Sequence, residues 1–421
     1  IGMRHGFRMT ASTMSCCAYL ASFRYWVGLM AAVILAGSTL SVSADAPEAS
    51  GAGVSLPPIP ELPRSMAWSA YNLGTTGYNQ AVGIAKMMKD RHRVTLRVIP
   101  GKNDVSRLLP LRVNRVQFSA NGVATYFAQE GVFQFASKRW GPMPVRVVMM
   151  SVGLSNQAIA VANDGPVQTI NDLKERRVPW VFGAPALNIS TEAIMACGGL
   201  TWEDVERIEF PGYSAMWNAM IDGQIDTAYA TTVSGPTRRL EASPQGIRWL
   251  TMPHEDKVCW ERAHAVAPYL EPHIATRGAA ITESAPHEGG TYPYPVLTTL
   301  KDQDSALVYA ITAAIHQGYD DYKEADPGSV GWALDRQRFQ WVVPFHPGAI
   351  EDFKAVGAWS PLADAHQVAL VERQETLAEA WRLFAQRPDF DEMDKRAFEN
   401  AWMRHRSEFL EGRGLNPVWR Q

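Results

Sequence analysis

A two-lobed α/β fold follows from three features of this sequence. Strand-like and helix-like hydrophobic periods alternate through residues 64–231, the pattern of parallel βαβ units. Several of the strands end in short polar turns that run straight into helices, which gathers loops at the carboxyl edge of a sheet, where ligands of open α/β sheets bind. Two apolar runs, 145–152 and 158–162, then succeed each other across a short connection, the expected crossing into a second lobe. With 421 residues, 46% of them hydrophobic, the chain has apolar mass enough for two packed cores.

Ahead of the fold, residues 1–44 hold Arg4, Arg8 and Arg24 but no acid, then an apolar run over 25–40 and small residues to Ala44. That order is a secretory signal peptide with cleavage near Ala44, and the run is short for a membrane-spanning helix. Removal of 1–44 leaves 37 basic against 43 acidic residues. Without a clustered basic patch the chain offers nothing to nucleic acid, and no second apolar run predicts membrane insertion after cleavage. The remaining cysteines, Cys197 and Cys259, are either bridged in an oxidising compartment or two separate buried thiols, the commoner arrangement.

Residues 45–63, rich in Pro, Ala, Gly and Ser, read as a flexible tether. Met66, Trp68 and Ala70 alternate as a strand, and Tyr78, Ala81, Val82 and Ala85 repeat as a helix, with Gly74-Thr75-Thr76-Gly77 between them. Such a turn aims free backbone N–H groups and the positive end of a helix at one point, a natural place for an anion; an ordinary tight connection gives the same pattern. Val94, Leu96 and Val98 predict a strand ending at Pro100-Gly101-Lys102-Asn103-Asp104, and 116–120 another, followed by Asn121. In the second lobe, 178–182 predicts a strand, and Ser190 or Thr191 then looks like the N-cap of a helix through Ala196. Helices are expected at 202–205 and 213–221, and Thr231 marks a third polar strand exit. A strand returns over 292–300, a long amphipathic helix covers 306–322, and helices complete the chain.

No nucleophile elbow, phosphate loop or dinucleotide fingerprint is present, and no cofactor is implied. His254, Cys259, His264, His273 and His287 match no common metal spacing. An exported two-lobed chain with several polar strand exits and no catalytic set reads as a binder.

The segments Gly74-Thr75-Thr76-Gly77-Tyr78, 108–131, Ile170-Asn171-Asp172-Leu173-Lys174, 219–226, Leu307-Val308-Tyr309-Ala310 and His346-Pro347-Gly348-Ala349-Ile350 occur in the order found in TAXI-family solute receptors of TRAP transporters, which the chain resembles over about 68–357. Asn114 and Gln117 stand where Gly and Asp are frequent in that family, and the turn at 99–104 departs from a shorter Ser/Thr-Gly-Gly turn. The resemblance implies a type II periplasmic-binding-protein-like fold with hinge crossovers and C-terminal helices. It also implies a periplasmic receptor, monomeric and non-enzymatic, that closes on a small anionic solute, such as glutamate or 2-oxoglutarate, for delivery to a TRAP membrane permease. In this reading domain I comprises 64–155 and 285–345, domain II 156–284, and the helices of 346–421 pack on domain I.

Thr75, Thr76 and backbone groups from Gly74 through Gly77 and Tyr78 are then expected to hold the solute carboxylate from one lobe, and Ser190 and Thr191 its other end from the second. Asn103, Asn121, Tyr213, Trp217 and Thr231 would line the cleft, although Tyr213 and Trp217, four apart on a helix, equally suit a core contact. His346 is expected to fix the start of its helix. The alternatives are a periplasmic enzyme on the same scaffold, with His254 or His264 and Asp256 as acid–base groups, and a sensory binding protein for a membrane kinase.

Overall fold

The computed structural model describes residues 56–420, so the expected leader and residues 45–55 of the tether lie outside the described residues. The first lobe is built by β1 (Ser65–Ala70), α1 (Thr76–His92), β2 (Thr95–Pro100), α2 (Asp104–Arg112), β3 (Phe118–Asn121), α3 (Ala124–Glu130) and β4 (Val145–Met150). The second contains β5 (Gln157–Val161), β6 (Arg177–Val181), α4 (Pro185–Cys197), β7 (Glu206–Phe210), α5 (Tyr213–Ile221) and β8 (Thr227–Thr231). It continues through α6 (Gly235–Glu241), β9 (Arg248–Trp249), α7 (Lys257–Val266), β10 (Glu271–Ala275) and β11 (His287–Thr291). The chain returns with β12 (Val296–Leu300), α8 (Ser305–Gln317) and α9 (Pro347–Ala355), and ends with α10 (Pro361–Phe384) and α11 (Lys395–Gly412).

The first sheet has the order β2-β1-β3-β12-β4, with β1 parallel to both neighbours and β12 antiparallel to β3 and β4. Although β4 closes one edge of this order, it is buried along its whole length, as its unbroken apolar run Val147-Val148-Met149-Met150 requires. The second sheet runs β10-β11-β5-β8, with β9 also on β5, and β6 and β7 form a parallel pair. Because β11 pairs with β10 and β5, the chain recrosses after residue 291 rather than at the expected 285. The two crossovers are hydrogen-bonded side by side: Tyr294 N–H donates to Ser151 O, and Ser151 N–H to Pro295 O, both at 2.8 Å.

Four local expectations change. Cys197 and Cys259 are disulfide-bonded, because α4 and α7 pack side by side, a pairing across 62 residues that sequence spacing does not reveal. Residues 202–205 form a turn instead of a helix. The long helix stops at Gln317, where Gly318 caps it. The described end of the tether is held down, with Ile59 and Leu62 packed on the core and Gln317 Nε2 donating to Pro57 O at 3.0 Å.

Helices α10 and α11 are fastened to the first lobe by a buried ionic cluster. Arg373 Nε and Nη2 donate to the two Glu130 oxygens at 2.7 and 2.8 Å, and Arg406 Nη2 bonds the same carboxylate. Beyond α11, Trp419 lies among Tyr126, Phe127 and Phe133 of the first lobe, and its Nε1–H donates to Val266 O of the second at 3.0 Å.

Candidate functional site

A narrow cleft with about 60 Å³ of accessible free space opens between the lobes at the carboxyl ends of β1, β3 and β8. It is lined from the first lobe by Tyr71, Asn72, Thr75, Lys102, Asn103, Asp104 and Arg107, and from the second by Gln157, Ala184, Ala186, Leu187, Tyr213, Tyr229 and Thr231. Tyr292 and Tyr294 of the returning crossover complete the wall. Apolar walls with a few fixed polar groups suit a small organic ligand.

Local sequence explains how the first-lobe wall is held. Gly74, at φ +77°, turns the chain out of β1. Thr75 caps α1: its Oγ1 accepts from Tyr78 N–H at 3.4 Å and donates to Asn72 O at 2.7 Å. Gly77 lets the helix start pass close to the Tyr71 ring, since a Cβ at that position would collide with ring carbon Cδ2. Thr76 Oγ1 bonds Asp326, away from the cleft. The glycine-threonine turn therefore shapes the cleft chiefly through Thr75 and Tyr71.

The charged centre is on α2. Asn103 caps this helix in a capping box with Ser106, which places Asp104 and Arg107 one turn apart. Arg107 is buried; its Nη2 bonds Asp104 Oδ1, its Nε donates to Asn121 Oδ1 at 3.2 Å, and its guanidinium lies over the Tyr71 ring at 4.0 Å from the centroid. No hydrogen bond among the described residues uses Arg107 Nη1. Asp104 reaches across the cleft, where Oδ2 accepts from Ala186 N–H at 2.8 Å in the first turn of α4. Burial raises the Asp104 carboxyl from its ordinary value, against the opposing pull of Arg107 and the Ala186 N–H.

Five tyrosines line the same cleft as this pair. Tyr71 and Tyr294 pack with ring centroids 4.7 Å apart. The Tyr229 and Tyr292 hydroxyls are hydrogen-bonded at 3.0 Å, and Tyr213 OH donates to Ser234 Oγ at 3.1 Å. Burial pushes these phenols up, Tyr292 to about 12, so they are neutral hydrogen-bonding groups at neutral pH.

Among the residues expected at the site, Thr75, Asn103, Tyr213 and Thr231 line the cleft. Gly74, Thr76, Gly77 and Tyr78 stand behind it. Asn121 is a buried partner of Arg107 and Ser119, and Trp217 is a core residue whose Nε1–H donates to Tyr229 O at 3.3 Å. The expected N-cap at Ser190 or Thr191 is corrected: α4 begins at Pro185, one helical turn or more upstream, with Ala184 at the cap position. Ser190 and Thr191 are interior helix residues, facing Tyr269 OH at 3.4 Å and Leu187 O at 2.8 Å. Pro185, a favoured first helical residue, was the signal for the true start. Asp104 and Arg107 were missed, and their three-residue spacing after an Asn cap could have found them.

The proposed acid–base groups serve local structure. Asp256 caps α7 through Cys259 N–H at 3.0 Å, while His254 and His264 face the Gly289 and Leu270 carbonyls. His346 caps α9, its Nδ1 accepting from Gly348 N–H at 3.1 Å. Among the described residues no group of three or more potential metal ligands gathers, and no helix is long and apolar enough to cross a membrane.

Two sheets joined by paired crossovers, with a cleft lined from both, define a two-lobed type II periplasmic-binding-protein fold. Within that class the chain belongs to the NMT1-like family, whose family model matches residues 72–357. Among solved structures it is similar to the alkanesulfonate-binding protein SsuA from Xanthomonas axonopodis pv. citri bound to MOPS, at 15% identity over 81% of this chain and 98% of that one, TM-score 0.40. It is also similar to R. palustris Rpa4515 with adipate, at 13% identity over 75% and 96% of the two chains, TM-score 0.45. No curated protein gave a significant sequence match.

Proposed function

We propose that this chain is the periplasmic solute receptor of a secondary transporter of the TRAP, TAXI type, capturing a small organic anion between its lobes and delivering it to a membrane permease. The observation that carries the reading is Arg107, a buried guanidinium held over Tyr71 in a cleft lined from both lobes, with Nη1 unspent. A carboxylate meeting that edge forms a charge-assisted hydrogen bond in a water-poor site. The tyrosine walls bury the apolar body of the solute and offer phenol hydroxyls to its polar atoms.

Lys102 and Arg107 against Asp104 leave one positive charge in excess along the lining. That balance favours a carboxylate bearing one net negative charge, glutamate being a reference solute, over a dianion such as 2-oxoglutarate. Closure is ligand-driven to the extent that both lobes contact the solute, a role that falls to Arg107 and Thr75 on one side and Tyr213, Gln157 and Thr231 on the other. The Cys197–Cys259 bridge fits an oxidising compartment.

Mass spectrometry of solute carried by the purified chain, followed by titration calorimetry with glutamate, butyrate, benzoate and neutral analogues, tests the reading. The expected result is a bound organic anion and no affinity for the neutral analogues. A cationic or uncharged natural solute overturns it.

A further inference from the structure

Three consecutive residues of the first lobe grip one loop of the second. Asn103 Nδ2 donates to Phe182 O at 3.3 Å, Asp104 Oδ2 accepts from Ala186 N–H at 2.8 Å, and Val105 N–H donates to Gly183 O at 3.4 Å. At the centre stands a carboxylate only 2% exposed. Among the described residues the first turn of α4 receives no side-chain cap from its own lobe: Ala184 cannot supply one, and Pro185 has no N–H. Asp104 therefore occupies the positive end of α4 from across the cleft, while its other oxygen takes one arm of the Arg107 fork. Both oxygens of this carboxylate accept from N–H groups, one of them the Arg107 guanidinium, and these donors favour the anion against the burial that raises the carboxyl.

We propose that Asp104 is a specificity-determining residue that limits the charge of the solute. The chain's own carboxylate fills the anion position at the α4 N-terminus and neutralises half of the Arg107 fork, so the cleft accepts one net negative charge and repels a second that no cation of the solute offsets. This deepens the reading of the cleft as an organic-anion receptor and rests on it. A second ligand carboxylate directed toward α4 meets Asp104 as a like charge in a buried setting, and such juxtapositions are strongly unfavourable.

The test compares probes matched in size and differing in charge, butyrate with succinate and benzoate with phthalate, by titration calorimetry at pH 7.5. The native chain should bind each monocarboxylate at least about tenfold more tightly than its dicarboxylate partner. In Asp104→Asn, which keeps an oxygen for the Ala186 N–H but removes the charge, that preference should fall below about threefold, with dicarboxylates gaining affinity. Equal affinity of the native chain for both members of a pair overturns the proposal without recourse to any variant. A folded Asp104→Asn chain that keeps the native ratio also overturns it. Failure of the native chain to bind any of the four probes instead overturns the organic-anion reading on which the proposal stands.

Discussion

Glu130 and Asp104 are both shut away from solvent beside arginine, but their surroundings differ in how many donors have been used. Around Glu130 both guanidiniums are fully engaged. Arg373 sends its remaining arm to Asn416 O at 2.9 Å, and Arg406 bonds Glu130 O, Pro417 O and Trp419 O in addition to the carboxylate. Around Asp104 a single guanidinium is shared among a carboxylate, an amide oxygen and an aromatic face, and one nitrogen makes no hydrogen bond among the described residues. A saturated cluster fixes α10 and α11 in one geometry. An unsaturated cluster in a cleft leaves hydrogen-bonding capacity for a ligand, and this difference separates a structural ion cluster from a binding one.

The largest effect expected from that contrast is on Glu130. Glu130→Ala strands two buried guanidiniums, and losses of about 3–5 kcal/mol accompany removal of one partner from a buried pair. Urea denaturation should show that loss, whereas affinity for solute in the folded fraction should stay within twofold. Burial raises the Glu130 carboxyl, but Arg406 and Arg373 outweigh it and hold it below its ordinary value of 4.5. A carboxyl depressed in the folded state contributes its stability above the unfolded value and loses it as pH falls through the folded one. Exchange protection of α10 and α11 should therefore fall below about pH 4.5, ahead of the second lobe.

The second lobe has the Cys197–Cys259 bridge as a brace. Cys197→Ser with Cys259→Ser should cost about 2–4 kcal/mol, with loss of amide protection concentrated in α4 and α7. An equal loss of protection in α10 and α11 would show that the lobes unfold as one unit, contrary to the local role assigned to each brace.

Arg107→Gln tests the other half of the contrast. It removes the charge that meets the solute, and affinity should fall by about 1.5–3 kcal/mol, the worth of a hydrogen bond to a charged group, read by calorimetry. Its destabilisation should be smaller than that of Glu130→Ala. A chain destabilised as much as Glu130→Ala with unchanged affinity would place Arg107 in the structural class and sink the binding role.

The sequence carried the architecture well because the signals were local. Strand and helix periods located β1, α1, β2 and β4, and the apolar runs 145–152 and 158–162 marked the first crossover between them. The site was only partly legible. Thr75, Asn103, Tyr213 and Thr231 sit at polar strand exits or helix starts, where local pattern and cleft position coincide. Tyr229 and Gln157 end up opposite Tyr292 only through pairing of β5 with β8 and recrossing after β11, relations between distant segments that no local period encodes. Glu130, Arg373 and Arg406 were invisible for the same reason, since helical spacing alone marks such residues as solvent-facing.

Ser190 gives the smallest expected effect and the sharpest check on how hydroxyls near a helix should be read. Its position after a strand and a polar loop suggested an N-cap aimed at solute, but with α4 starting at Pro185 it lies inside the helix, buried, with Tyr269 OH at 3.4 Å. That distance is long for an O–H···O bond, so Ser190→Ala should cost at most about 0.5 kcal/mol of stability and leave solute affinity within twofold. Tyr269 also packs on Phe127 of the first lobe, with ring centroids 5.8 Å apart, so loss of the hydroxyl leaves the aromatic contact between lobes in place. A tenfold loss of affinity in Ser190→Ala with an unchanged melting temperature would show that α4 presents this hydroxyl to the solute in the liganded state, and would move the anion site away from Arg107.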